Sequence, residues 1–143
     1  MKHQNLFFFN LAQTTINLKV TSVDGHKENE KYDIKMPILA LTSIARLWSL
    51  NFGIGERNTT ERFMALKTIG VFSSALRDEF DQAFRFLMLL RIKNQLKQIE
   101  ENVEPNNKID AKSLSEIERV MIKKIVSTIT DHQSKLAIEF RVG

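Results

Sequence analysis

The sequence predicts an all-α fold, a four- to five-helix bundle preceded by a short N-terminal β-hairpin or extended segment. Three observations carry this expectation. From Pro37 onward, apolar residues recur at spacings of three and four in four separate stretches, the period of a helix that buries one face. Three of those stretches open on Ser, Thr or Asn, and two close on glycine, the residues that punctuate helix termini. Before Pro37 the period is two instead, which is that of a strand.

The elements follow in order. In TTINLKVTS (residues 14–22), Ile16, Leu18 and Val20 alternate with polar neighbours. Asp24-Gly25 is a turn pair, and Tyr32 and Ile34 return in step, so a hairpin is expected. Such a hairpin is marginal alone and must pack on something larger. Pro37 suits the first turn of a helix that runs to about Asn51 and is ended by Gly53. Its stripe is Ile38, Leu41, Ala45, Trp48 and Phe52, thickened by Leu39 and Leu50. Asn58 or Thr59 caps a second helix, with Glu56 and Glu61 near its positive end, Phe63, Leu66 and Ile69 inward, and Gly70 as the stop. Ser73 or Ser74 caps a long third helix through Phe80, Phe84, Leu87, Met88, Ile92, Leu96 and Ile99. Glu104 to Asn107 form the linker-like loop. Ser113 or Ser115 then caps a last helix with Met121, Ile125, Ile129, Leu136 and Phe140 inward. The expected organisation is a linker and hairpin segment over residues 1–36 and a helical bundle over 37–143.

Composition narrows the function. The chain of 143 residues, 43% hydrophobic and 27% charged, is sized for one domain with a real core. The formal charge of +4 is scattered, without the dense basic stripe and interleaved aromatics of a nucleic-acid binder. Cysteine is absent, so disulfides and thiolate metal sites are excluded. The apolar run at the N-terminus is broken by Asn10 and Gln13, and no stretch approaches the roughly 20 apolar residues of a membrane span. A cytoplasmic location with no membrane partner is the expectation. No phosphate-binding glycine loop or nucleophile elbow occurs. DEFD (residues 78–81) reads as a solvated face beside Arg77.

Polar residues in apolar company are the candidates for function. Arg91 and Gln95 lie one turn apart beside the seam of Phe84, Leu87 and Met88. A guanidinium there needs an anion, water or an internal carboxylate. Arg46, within IARLW, poses the same problem, with Asp33, Glu61 and Asp110 as candidate partners. His132 and Gln133 interrupt the last helix. A lone His on an apolar row reads as a hydrogen-bonded core residue, and no second His stands at a metal-ligand spacing.

Several segments in order resemble one family: YDIKMPI, IARLWSL, NTTERF with Leu66 and Gly70 after it, AFRFLMLLRIKNQ, NNKIDAKSLSEIER, and the closing Gln133 and Phe140. From about Phe8 to Phe140 the chain is similar to the nucleotidyltransferase substrate-binding domain found at the C-terminus of bacterial signalling proteins. There it follows a nucleotidyltransferase domain like that of the PII uridylyltransferase, often with CBS or cyclic-nucleotide-binding domains upstream. The resemblance implies a helical domain that is not catalytic alone and completes the cleft of a catalytic domain, in cis or in trans. That absent domain would bring Mg²⁺ and a nucleoside triphosphate; this chain needs no cofactor of its own. Phe7-Phe8-Phe9 looks like the hand-over from such a domain, so the chain is expected to be the C-terminal part of a larger protein.

Carried over residue by residue, the resemblance marks Lys35, Arg46, Arg91, Gln95 and Gln133 as substrate-binding. It marks Asp33, Asn58, Thr59, Arg62, Asn107 and Asp110 as a structural polar network. Asn94 departs from the family, where a His or similar residue is common. Two readings follow. In one, those side chains converge on an open cleft and meet a charged substrate. In the other, they are internal pairs of a structural or regulatory module that dimerises or docks through the hairpin and the apolar run from Leu6 to Ala12.

Overall fold

In the computed structural model, which describes residues 5–23 and 30–140, five helices enclose one core and a small two-stranded sheet closes one end. The elements are α1 (Asn5–Asn17), β1 (Lys31–Asp33), α2 (Lys35–Asn51), α3 (Thr59–Thr68), α4 (Ser74–Glu100), β2 (Lys108–Asp110) and α5 (Glu116–Glu139). A single 3-10 turn, Ala111–Ser113, joins β2 to α5. α2 is the central helix and packs against each of the other four.

The helix boundaries have identifiable chemical causes. The side-chain oxygens of Asn58, Ser73 and Ser115 accept from the backbone N–H three residues on, at 2.8, 3.1 and 3.1 Å. At Ser115 the bond is reciprocal, because Glu118 Oε1 accepts from the Ser115 N–H at 2.8 Å and completes a capping box. α2, α3 and α4 each end in a Schellman turn. Gly53 (φ 67°), Gly70 (φ 81°) and Asn102 (φ 59°) take the left-handed position. The next residues, Ile54, Val71 and Val103, donate back to the carbonyls of Ser49, Leu66 and Gln98.

The expected N-terminal hairpin does not form. Residues 14–17 continue α1, because Phe8, Leu11, Ala12, Thr15 and Ile16 recur at three and four and pack inward. The apparent alternation from Ile16 to Val20 was the tail of this helical stripe, followed by an irregular segment that buries Val20 and Val23. The Asp24-Gly25 pair lies outside the described residues. β1 pairs instead with β2, antiparallel, with Lys31 opposite Asp110, Tyr32 opposite Ile109 and Asp33 opposite Lys108. The segment from Glu104 to Asn107 is no slack linker either, since Gln98 holds Asn106 through both ends of its amide.

The core gathers Leu41, Ile44, Leu47, Phe63, Leu66, Phe80, Leu87, Ile122 and Ile129, all fully buried. Packed against this core, Trp48 Nε1 donates to His132 Nε2 at 2.9 Å, with Phe72 and Phe80 ringed around the imidazole. Burial, helped by the charge of Lys135, lowers the His132 pKa to about 4, so the ring is neutral. Asp81 corrects the reading of DEFD as a wholly solvated face. It is buried, with one carboxylate oxygen on Arg85 at 2.9 Å. Phe52, Ile69, Ile92, Leu96 and Ile99, assigned inward by their spacing, are substantially exposed.

Candidate functional site

The polar residues singled out by sequence divide into one group that meets and several that do not. Asn107, on the loop entering β2, is the meeting point. Its backbone carbonyl accepts from the Ile34 N–H at 3.0 Å. Its side-chain oxygen accepts from Arg91 Nε on α4 at 2.9 Å. Asp33, next to Ile34, uses one carboxylate oxygen to accept from the Lys35 N–H at 3.1 Å and the other to pair with Lys108 Nζ at 3.2 Å. One corner of the molecule therefore holds Asp33, Lys35, Arg91, Asn107 and Lys108, built from the start of α2, the middle of α4 and the sheet.

α4 reaches this corner with a row of polar residues. Arg91, Asn94, Gln95 and Gln98 stand three, one and three positions apart, and so share a face. Asn94 Nδ2 donates to the Lys108 carbonyl at 3.0 Å, and Gln98 holds Asn106. The half-buried Gln95 lies between them. Arg91, Asn94 and Gln95 of LLRIKNQ thus face the β2 strand and its loop, not the helical core, while Lys93 reaches Glu118 on α5. Asn94, the position that departs from the family, is a backbone anchor here.

The electrostatics of the corner are unbalanced. Arg91 is half-buried and is held by a neutral amide; among the described residues it makes no ion pair. Lys35 and Lys108 are exposed, and Asp33 is the one carboxylate bonded into the cluster. Next to the corner, a cavity between α4, β2 and α5 is lined by Leu90, Lys93, Asn94, Lys97, Ile109 and Glu118, among others. Burial would raise the Glu118 carboxyl, but the Ser115 backbone N–H and Lys93, 3.4 Å away, outweigh it and hold the carboxyl below its usual value.

The other candidates lie elsewhere. Arg46 is exposed on the solvent side of α2 with Leu39 and Leu50, and it pairs with none of Asp33, Glu61 and Asp110. Asn58 caps α3, Thr59 is buried in its first turn, and Arg62 Nε donates to the Glu56 carbonyl at 2.9 Å. Asp110 accepts from the Lys112 N–H and stabilises the 3-10 turn. Gln133 is buried and donates to the Thr15 and Leu18 carbonyls, both at 3.0 Å, tying the end of α1 to α5. Lys108 is the residue of the corner that sequence reasoning missed. Its signal was available in NNKID, where it directly follows Asn107.

This arrangement, and the order of the segments that build it, can be set against known proteins. A family model described as "Putative nucleotidyltransferase substrate binding domain" matches residues 10–140. The chain belongs to this family. The match spans the bundle from the middle of α1 onward and every residue of the corner, and membership implies association with the catalytic domain of a nucleotidyltransferase. No curated protein and no solved structure matched the chain. Among the described residues of this substrate-binding domain, no group of three or more His, Cys, Asp or Glu is placed to hold a metal ion. No described helix is long and apolar enough to cross a membrane.

Proposed function

We propose that this substrate-binding domain serves a PII-uridylyltransferase-like nucleotidyltransferase of bacterial signal transduction in the cytoplasm, and that the Asp33–Arg91–Asn107 corner meets the substrate. Arg91 and Lys35 receive the negative charge of a nucleotide or of a charged acceptor. Gln95 orients it. Metal-assisted transfer, with Mg²⁺ and the nucleoside triphosphate, belongs to the catalytic domain. The observation that carries the reading is the state of Arg91. Asn107 fixes its Nε and no carboxylate neutralises it, so the guanidinium is aimed while its charge stays available. An internal ion pair would have argued for a purely structural role. Gln133 is committed to the α1 carbonyls and Arg46 stands apart on α2, so neither enters this corner.

The test is a thermal-shift titration with UTP and with ATP, each with and without Mg²⁺, on the wild type and on Arg91→Ala. A ligand at about 100 times its dissociation constant adds roughly 2.7 kcal/mol, a shift of several degrees for a domain of this size. A saturable shift lost in Arg91→Ala supports a nucleotide subsite on this chain. If the shift survives intact in Arg91→Ala, the corner is not the site.

A further inference from the structure

The cavity between α4, β2 and the start of α5 has an apolar floor and a charged rim. Leu90, Ile109 and Leu114 form the floor, and all three are buried. On the rim, Lys93 and Lys97 stand one turn apart on α4, and Glu118 faces them from α5. Glu118 is engaged at both oxygens. Oε1 accepts from the Ser115 N–H at 2.8 Å, and Oε2 pairs with Lys93 Nζ at 3.4 Å. Lys97 makes no ion pair among the described residues. Glu100, the next carboxylate along α4, lines the neighbouring groove and not this cavity. Two like charges one turn apart repel, and here a single carboxylate offsets one of them. The rim is left with a surplus of one positive charge above an apolar floor.

We infer that this cavity binds a small monocarboxylate with a short aliphatic body, its carboxylate on Lys97 and its hydrocarbon on Leu90, Ile109 and Leu114. Charge sets the valence, because one negative charge balances the surplus on the rim. Size sets the class. The cavity measures about 80 Å³. At roughly 10–15 Å³ for each water position, that is room for about five to eight waters, the span of an organic acid of about six non-hydrogen atoms. It is far too small for a nucleotide. The floor selects against a bare inorganic anion, since each methylene moved from water onto it gains up to about fourfold in affinity. An amino acid fits less well, because its ammonium needs an acceptor and both Glu118 oxygens are taken. Ser113 Oγ spends its one proton on the Asp110 carbonyl at 2.7 Å, which leaves the carboxylate to Lys97. The inference is independent of the nucleotide-binding reading.

The experiment is an NMR titration of the isotope-labelled full chain with isobutyrate, compared with acetate, isobutyramide and inorganic phosphate. Isobutyrate should shift the backbone amides of Ile109, Ser113 and Leu114 saturably, with a dissociation constant on the order of 1 mM, as suits so few atoms. Acetate, two carbons shorter, should bind about tenfold more weakly. Isobutyramide, which has the same shape without the charge, should leave these amides unmoved. Lys97→Met should weaken isobutyrate about fivefold with an unchanged helical spectrum, because Lys97 is exposed, and Lys97→Arg should retain binding. The absence of a saturable shift at these three residues overturns the inference. So does isobutyrate binding that Lys97→Met leaves unchanged. Isobutyramide or phosphate acting as strongly as isobutyrate overturns it too, the first by removing the need for the charge and the second by removing the need for the floor.

Discussion

Acid should destabilise this domain through His132. Its imidazole is 6% exposed, and Nε2 accepts from Trp48 Nε1 at 2.9 Å. Protonation would place a second N–H against that donor inside an aromatic cage. Burial first, and the charge of Lys135 second, lower its pKa from 6.5 to about 4. Between those two values the unfolded chain binds a proton that the folded chain refuses, so stability falls as pH falls. The contribution is fully present above about pH 6.5 and fully lost below about pH 4. At about 1.4 kcal/mol per pH unit, the full loss is about 3 kcal/mol. Trp48 is the sole tryptophan, so its fluorescence in urea melts reports on the bonded pair directly. The carboxylates also titrate in this range, and they are removed by comparison with His132→Gln at each pH. The difference in unfolding free energy between wild type and variant should shrink by most of that 3 kcal/mol from pH 7 to pH 4. If the two curves run parallel with pH, His132 does not resist protonation and the account of the core is wrong.

Other expectations follow from single contacts. Gln133→Leu should cost about 1–3 kcal/mol, because the Thr15 and Leu18 carbonyls lose their donor, and hydrogen exchange should rise selectively in α1. Ser115→Ala should cost about 1 kcal/mol in urea melts by removing one arm of the capping box. The same change should raise the Glu118 pKa, readable by NMR titration, since the Ser115 side chain is among the groups that lower it. Arg91→Ala should cost only about 1 kcal/mol, the worth of one hydrogen bond to Asn107. A loss of about 3–5 kcal/mol instead would reveal a buried ion pair and count against a binding role.

The sequence by itself determined the elements that local chemistry controls. Asn58 and Ser73, the starts of α3 and α4, were legible because a cap needs only its neighbours' N–H groups, and Gly53 and Gly70 as stops because only a few residues tolerate a left-handed backbone. His132 was recognisable as a bonded core residue for the same kind of reason: a polar ring on an apolar row needs a partner. The candidate site was half legible. Arg91, Asn107, Asp33 and Lys35 were each singled out, yet only the fold showed that they meet, because β1 pairs with a strand about 75 residues away. The sequence also left open which side of each helix is covered, and so Arg46 was placed inside, Asp81 outside, and Leu96 and Ile99 in the core. A helical period fixes that a face is apolar. Whether another element lies against that face is decided by the packing of the whole chain, and on α4 the core ends near Leu90 while exposed apolar residues continue to Ile99.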